Sequence, residues 1–143
     1  MSHELMSDVN NENQLNKRIY CENISNCGVI YMNLHMYPIN YSKDIIVYLL
    51  NEIITITVQA LYISKANGLE TFNMEINAEG VKPKHFNMQF AKLIADTLKR
   101  RFPDKMGKCK IVNPPTYFEV MFDMFKTFID KKTQKKIKIE KLK

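Results

Sequence analysis

Two stretches that alternate apolar and polar residues flank a long apolar stretch, and this arrangement most constrains the fold. Residues 29–36 and 71–76 have the two-residue period of β-strands. Residues 44–63 between them are long enough for a helix of roughly five turns. Because strands joined by such a helix pair in parallel through a right-handed crossover, the pattern predicts a mainly parallel sheet.

The apolar stretch from Asp44 to Ile63 also raises the question of a membrane span. Polar residues inside it argue against one, above all Glu52, because a carboxylate at the bilayer centre costs about 2.5–3.5 kcal/mol on insertion scales. We therefore expect no transmembrane span but a helix that is buried on most of its surface inside a soluble domain.

The alternation of strands and helices continues to the end of the chain. A helix is predicted from about Lys84 to Phe102, and residues 108–112 form a short strand. After two prolines, Thr116 and Glu119 form a capping-box pattern that opens an aromatic-rich helix.

Two shorter elements complete the predicted domain. Asp130 is a typical N-cap for a short helix through Gln134, and residues 137–140 alternate as a final edge strand. The pattern predicts one domain over residues 17–143. Residues 1–16 are polar and are expected to be a disordered tail without a signal peptide.

The net charge of +6 is divided unevenly along the chain. Residues 1–80 carry 4 Lys and Arg against 9 Asp and Glu, whereas residues 81–143 carry 17 against 6. The basic second part favours anionic partners such as phospholipid headgroups, nucleic acid or acidic proteins, although a solvated lysine-rich surface has the same composition.

Residues that commonly bind metals or act as nucleophiles are sparse and scattered. Cys21, Cys27 and Cys109 form no CxxC pair, and the three histidines form no metal-binding motif. We expect free thiols in a reducing, cytoplasmic compartment, no cofactor and no metal. Because no nucleophile with an ordered partner can be named, we expect no enzymatic activity.

The ordered motifs of the last third resemble the CRAL-TRIO lipid-binding domain family. A helix stop and basic turn, Phe102-Pro103-Asp104-Lys105, is followed by a strand and the double-proline turn Asn113-Pro114-Pro115. An aromatic helix with Phe118 then ends at Thr127-Phe128-Ile129. Asp130 and Thr133 mark a short capped helix, and Lys136-Ile137 begins a final strand. The resemblance is strongest over residues 84–139. It implies a three-layer α/β/α domain with a mainly parallel sheet of about four to five strands. The N-terminal helical bundle and the C-terminal gate helix of lipid-transfer members have no counterpart in this sequence.

The same resemblance implies a non-enzymatic module that binds one lipid between sheet and helices. The headgroup would contact Asp104, Lys105 and Lys108. The hydrophobic pocket would be lined by Met32, Leu34, Tyr117, Phe118, Met121, Phe122 and Phe125. An aromatic face at helical spacing is, however, more often part of a packed core than of a lipid pocket.

Two kinds of partner follow from these features. A phospholipid, phosphoinositide or other hydrophobic ligand at an anionic membrane surface fits the resemblance and the basic charge, and would make the protein a peripheral membrane protein. The alternative is a protein-interaction module of the divergent CRAL-TRIO type, binding a small GTPase, another protein or a second copy of the chain. The polar face of the strand with Thr71, Asn73 and Glu75 favours this alternative, because it predicts a sheet left partly open, or a polar cavity, instead of a sealed acyl pocket. We expect no nucleic acid partner, because no recognised motif is present.

Overall fold

A computed structural model describes residues 17–142 as one five-stranded sheet and four helices. The predicted tail over residues 1–16 lies outside the described residues. The strands and helices, which we number in chain order, are as follows: β1 Ile19–Ile24, β2 Cys27–Asn33, α1 Lys43–Ala66, β3 Phe72–Asn77, α2 Met88–Arg101, β4 Met106–Val112, α3 Thr116–Lys126, α4 Lys131–Gln134 and β5 Ile137–Glu140.

The strands lie in the sheet in the order in which they occur in the chain, from β1 to β5. β1 and β2 form an antiparallel hairpin, and β2 to β5 are parallel. The predicted α/β class and mainly parallel sheet are therefore confirmed.

The three long helices pack on one face of the sheet. Right-handed crossovers that always step in the same direction place their helices on the same side. Cys109 and Met74, paired across β3 and β4, contact the cluster that includes Phe90 of α2, and Ile111 lies in a second cluster with Phe118 of α3. The described residues thus form two layers, and the third layer of the predicted α/β/α arrangement is not seen among them.

The opposite face of the sheet is polar, as the alternation of residues 71–76 predicts. Its central row runs across all five strands through Tyr20, Tyr31, Glu75, Lys110 and Lys138. The rings of Tyr20 and Tyr31 stack with centroids 5.1 Å apart, whereas Lys110 and Lys138 are exposed. We call this surface the open sheet face.

Helix α1 crosses the hairpin and β3, and it is buried on one side only. Six of its residues are buried, among them Ile53, Thr57 and Ala60. Its length and composition suffice for a membrane span, with a mean hydropathy of 1.6 over 18 residues, of which 28% are buried. These properties are weak evidence of a span, because the core helix of a soluble domain shares them. The expectation that this helix is buried on most of its surface is wrong.

Several predicted boundaries also differ from the structure. Strand β1 was not predicted. Residues 34–36, predicted as strand, form a 3-10 turn, and α2 begins at Met88 after the Asn87 cap, whose side chain accepts a hydrogen bond from the Phe90 amide. Helix α3 has Pro115 at its N-cap position, so the predicted Thr116 cap is wrong.

Candidate functional site

Cations from three segments gather where β4 and β5 begin. They come from the last turn of α2, the turn into β4 and helix α4. We call the set the basic end, and it consists of Lys99, Arg100, Arg101, Lys105, Lys108, Lys131, Lys132, Lys135 and Lys136. Because parallel strands begin at the same edge of a sheet, segments far apart in sequence meet there.

Four members of the basic end are paired with carboxylates. Lys99 lies 3.3 Å from Asp130, Arg100 2.9 Å from Asp96, Lys105 3.5 Å from Glu70 and Lys132 2.8 Å from Asp104. Among residues 17–142, the other five cations form no ion pair within 4.0 Å of a carboxylate, so the basic end keeps an excess of positive charge.

Asp104 occupies a tight turn, with a φ of 57°, and its carboxylate is directed to Lys132. The hydrogen bond and charge of Lys132 lower the pKa of Asp104, and the same hydrogen bond raises the pKa of Lys132. The side chains of Asp104 and Lys132 are 72% and 70% exposed, so the pair contributes little to stability. Asp104 therefore positions a lysine at this end of the sheet.

The other two predicted headgroup residues lie close to this turn. The carbonyl oxygen of Lys105 accepts a hydrogen bond from the Phe72 amide, which ties the turn to β3. The amide of Lys108 donates to Asn73 Oδ1 at 2.9 Å, and its ammonium is on the open sheet face. Asp104 and Lys105 are thus in the turn, whereas Lys108 lies where the turn meets the open face.

The predicted pocket residues are divided between the two apolar clusters. Phe118 and Phe122 are buried in one cluster, with ring centroids 6.3 Å apart. Met32 is buried in the other cluster, and Met121 is half-buried. Partly buried side chains complete the α3 cluster, among them Leu34, Tyr117 and Phe125.

Tyr117 fixes helix α3 to the loop after β3. Its hydroxyl donates a hydrogen bond to the carbonyl oxygen of Val81, and desolvation raises its pKa. Phe86 from the same loop region meets Phe118 edge to face at 6.1 Å. The aromatic residues on this side of α3 therefore form a core, as one of the two interpretations of their spacing predicts.

An open groove of about 640 Å³ runs between α3 and β5. Apolar side chains from both elements line it, namely Phe122, Ile137 and Ile139, and Lys131 and Lys135 bring the basic end to its rim. The carboxylates Glu119 and Asp123 also line the groove, and each is paired with a lysine. We call it the α3–β5 groove. It connects a predicted pocket residue, Phe122, with cations that the sequence did not single out as headgroup ligands.

Lys132, Lys131 and Lys135 were missed because no local pattern marks them. Asp104 and Lys132 are 28 residues apart in sequence, and only the parallel pairing of β4 and β5 brings them together. The available signal was the excess of lysine after residue 80.

No described group of three or more His, Cys, Asp or Glu residues could hold a metal ion. The three cysteines are free, and burial raises the pKa of Cys109 to about 12, which keeps this thiol protonated.

Comparison with known proteins gives a family and a fold. No curated protein matches the sequence. Among solved structures, the chain is similar to the crystal structure of Sfh5, with 14% identity and a TM-score of 0.58 over 89% of this chain. The chain corresponds to 48% of the Sfh5 chain, so it spans about half the length of that structure. The model of the CRAL/TRIO domain family matches residues 12–143, and the chain belongs to this family.

Proposed function

We propose that this chain is a non-enzymatic lipid-binding module that recognises an anionic phospholipid, such as a phosphoinositide, at a membrane surface. The α3–β5 groove carries the proposal, because it joins an apolar floor at Phe122 and Ile139 to cations at Lys131 and Lys135. Its volume of about 640 Å³ suits a small lipid fragment. Family membership supports a hydrophobic ligand, since CRAL-TRIO domains bind lipids and similar small molecules.

The phosphate of the headgroup would bind at the basic end. Lys131 and Lys135 at the groove rim, together with Lys105 and Lys108, supply ammonium groups for phosphate oxygens. Asp104 would orient Lys132 through their 2.8 Å hydrogen bond instead of contacting the anion itself.

The acyl portion would lie along the groove and the aromatic side of α3. Phe122 already lines the groove. Four of the other residues proposed for the pocket would contact an acyl chain only after α3 moves away from the sheet, because their side chains pack in the α3 cluster: Leu34, Tyr117, Phe118 and Phe125. Met32 is buried in the cluster beneath α1 and α2.

Flotation with lipid vesicles tests this function. We expect binding to vesicles that contain phosphatidylserine and phosphatidylinositol 4-phosphate, and little binding to pure phosphatidylcholine. The double variant Lys131→Glu, Lys135→Glu should lose about thirtyfold or more in affinity, since each basic residue near an anionic surface contributes about 1 kcal/mol and the substitutions also add negative charge. The matched control Lys82→Glu, Lys84→Glu makes the same charge change outside the basic end and should bind nearly as well as wild type.

Failure of the wild-type chain to float with anionic vesicles at low salt would refute the function. Equal losses in the two double variants would show that net charge alone, and not the groove, governs binding. Mass spectrometry of the purified protein provides a second measurement, since a co-purified phospholipid is expected.

The open sheet face favours a second candidate function, protein interaction. This face combines Glu75 with Lys110 and Lys138, and the long helices all lie on the other side. A protein partner such as a small GTPase, or a second copy of the chain, could form ion pairs with both the negative and the positive side chains on this face. Titration with a defined panel of small GTPases, with Glu75→Lys and Lys110→Glu as variants, separates this function from lipid binding, because neither substitution alters the groove.

A further inference from the structure

Helix α1 exposes apolar residues on the side that faces away from the sheet. Val47, Tyr48, Val58 and Tyr62 are 57%, 62%, 53% and 75% exposed. They recur at helical spacing on one side of α1, where neutral polar residues such as Asn51 and Thr55 lie between them. An exposed apolar patch of this kind marks a surface that meets another protein or a membrane.

Cations surround this side of the helix. Lys43 lies in its first turn and Lys65 in its last, and Asp44 is the carboxylate exposed beside them. A groove of about 350 Å³ between α1 and α2 has Val47 and Leu50 in its wall and carries Arg100 and Arg101. Apolar side chains bordered by Lys and Arg complement an anionic bilayer, because the aliphatic groups enter the interface while the cations meet phosphates.

The exposed apolar residues of α3 have different electrostatic surroundings. Val120 and Met124 are 65% and 60% exposed, but Glu119 and Asp123 lie beside them on the same helix. Each of these carboxylates is paired with a lysine, so this side of α3 has no excess of cations to attract an anionic surface. Charge complementarity therefore distinguishes α1 from α3 as a membrane-facing helix.

The inner side of α1 limits how deeply the helix can enter. Ile53 and Thr57 are buried against the sheet, and the Gly28 amide donates a 2.8 Å hydrogen bond to Ser64 Oγ. Leaving the domain would expose this side of the helix and break that bond. The helix can therefore dock only at the level of the headgroups, where tyrosine side chains are favoured.

We propose that the outer side of α1, together with Arg100 and Arg101, docks on an anionic lipid bilayer as a second contact beside the α3–β5 groove. This inference rests on the proposed function, since it assigns the orientation of the same domain on the membrane. Helices α1 and α2 both end on the edge of the sheet where the basic end lies, so Tyr62, Lys65 and the basic end can face one bilayer together.

The absence of tryptophan from this chain allows a direct test by fluorescence. We would place one tryptophan at a time, as Tyr62→Trp on α1 and Tyr31→Trp on the open sheet face. Both replace an aromatic residue, so the fold should be kept. With vesicles of phosphatidylcholine, phosphatidylserine and brominated lipid, the fluorophore at position 62 should shift to the blue and be quenched, while the one at position 31 should not change.

A second pair of variants tests the contribution of α1 to affinity. Val58→Ser with Tyr62→Ser should weaken vesicle binding about tenfold, because it removes apolar surface that would enter the interface. Val120→Ser with Met124→Ser removes similar exposed surface from α3 and should leave binding unchanged. Circular dichroism checks that each variant is folded.

The outcomes separate this inference from the function on which it rests. If wild type floats with anionic vesicles while position 62 is neither shifted nor quenched, the α1 contact is refuted and lipid binding stands. Quenching at both positions, or equal losses in the two serine variants, also refutes a contact specific to α1. If wild type does not float at all, lipid binding itself fails and the α1 contact fails with it.

Discussion

Gly28 sets how closely α1 can approach the sheet. A Cβ atom at this position would lie 1.9 Å from the carbonyl oxygen of Ala60, which is backbone and cannot turn aside. We therefore expect Gly28→Ala to lower the free energy of unfolding by about 3 kcal/mol, the upper part of the range for overpacking. Urea denaturation measures the loss.

Gly107→Ala is the matched control for this substitution. There the nearest atom is Asn73 Oδ1, at 2.7 Å, which belongs to a side chain that can move. A loss at Gly107 as large as the loss at Gly28 would contradict the role assigned to the α1 backbone.

The stability that the Asp130 cap of α4 contributes depends on pH. Its carboxylate accepts a hydrogen bond from the Thr133 amide, which with the Thr133 side chain and Lys99 lowers its pKa to about 2. A carboxyl group whose pKa is lower in the folded state adds stability above its unfolded pKa, about 3.9, and this stability is lost as the pH falls through about 2.

Asp130→Ala should therefore unfold at a lower urea concentration than wild type at pH 7, and the difference should narrow between pH 4 and pH 2. Asp130→Ser keeps a capping oxygen without the charge, so it should be intermediate at pH 7. A difference that is independent of pH would show that the carboxylate charge plays no part.

Residues whose partners are close in sequence could be predicted, whereas those with distant partners could not. The Asp130 cap involves a residue three positions away, and the prediction is confirmed. The pairing of Asp104 with Lys132 depends on how two strands align, which no local pattern encodes.

Among the elements, the β1–β2 hairpin was the main omission. Its loop is the pair Ser25-Asn26, with φ angles of 52° and 73°, which is the two-residue turn that follows the twist of the strands. Turns of this kind usually contain glycine, and because this turn has none, the sequence pattern did not indicate a hairpin. The spacing of Ile19 and Cys21, which both face α1, would have suggested a strand.

The turn geometry predicts that glycine at its second position stabilises the protein. Ser25→Asn with Asn26→Gly should raise the free energy of unfolding by about 1 kcal/mol, because glycine adopts positive φ without strain. Ser25→Val should have the opposite effect, since a β-branched residue resists this conformation. Thermal denaturation of both variants measures whether each is more or less stable than wild type, and stabilisation by valine would contradict the turn geometry.

The start of helix α3 differs from the one that the capping-box pattern predicted. Pro115 is extended, with a ψ of 161°, and places Thr116 in the first helical turn, where its hydroxyl cannot cap the helix. The double proline, and not the threonine, thus determines where α3 begins.

At the scale of the whole molecule, the segregation of charge predicts sensitivity to salt. Raising NaCl from 50 to 500 mM shortens the Debye length from roughly 14 Å to 4 Å. We expect the affinity for anionic vesicles to fall by about tenfold or more, because the basic end acts on the membrane through exposed side chains. Sedimentation with vesicles at a series of salt concentrations measures this, and salt-independent binding would contradict an electrostatic contribution.

The number of layers also belongs to this scale. The strands and helices could be predicted because each has its own local period, and parallel pairing followed from the helices that join the strands. The order of the strands leaves no such period, and it decides whether the helices cover one face of the sheet or both. Here each strand is added beside the previous one, so α1, α2 and α3 share a face.

The same strand order bears on how the protein is made. Every strand pairs with the one synthesised just before it, so the sheet can grow at one edge as the chain leaves the ribosome, and no strand must be inserted between two others. Each new edge is then covered by the next strand to emerge, which limits the time during which an unpaired strand could join a neighbouring nascent chain.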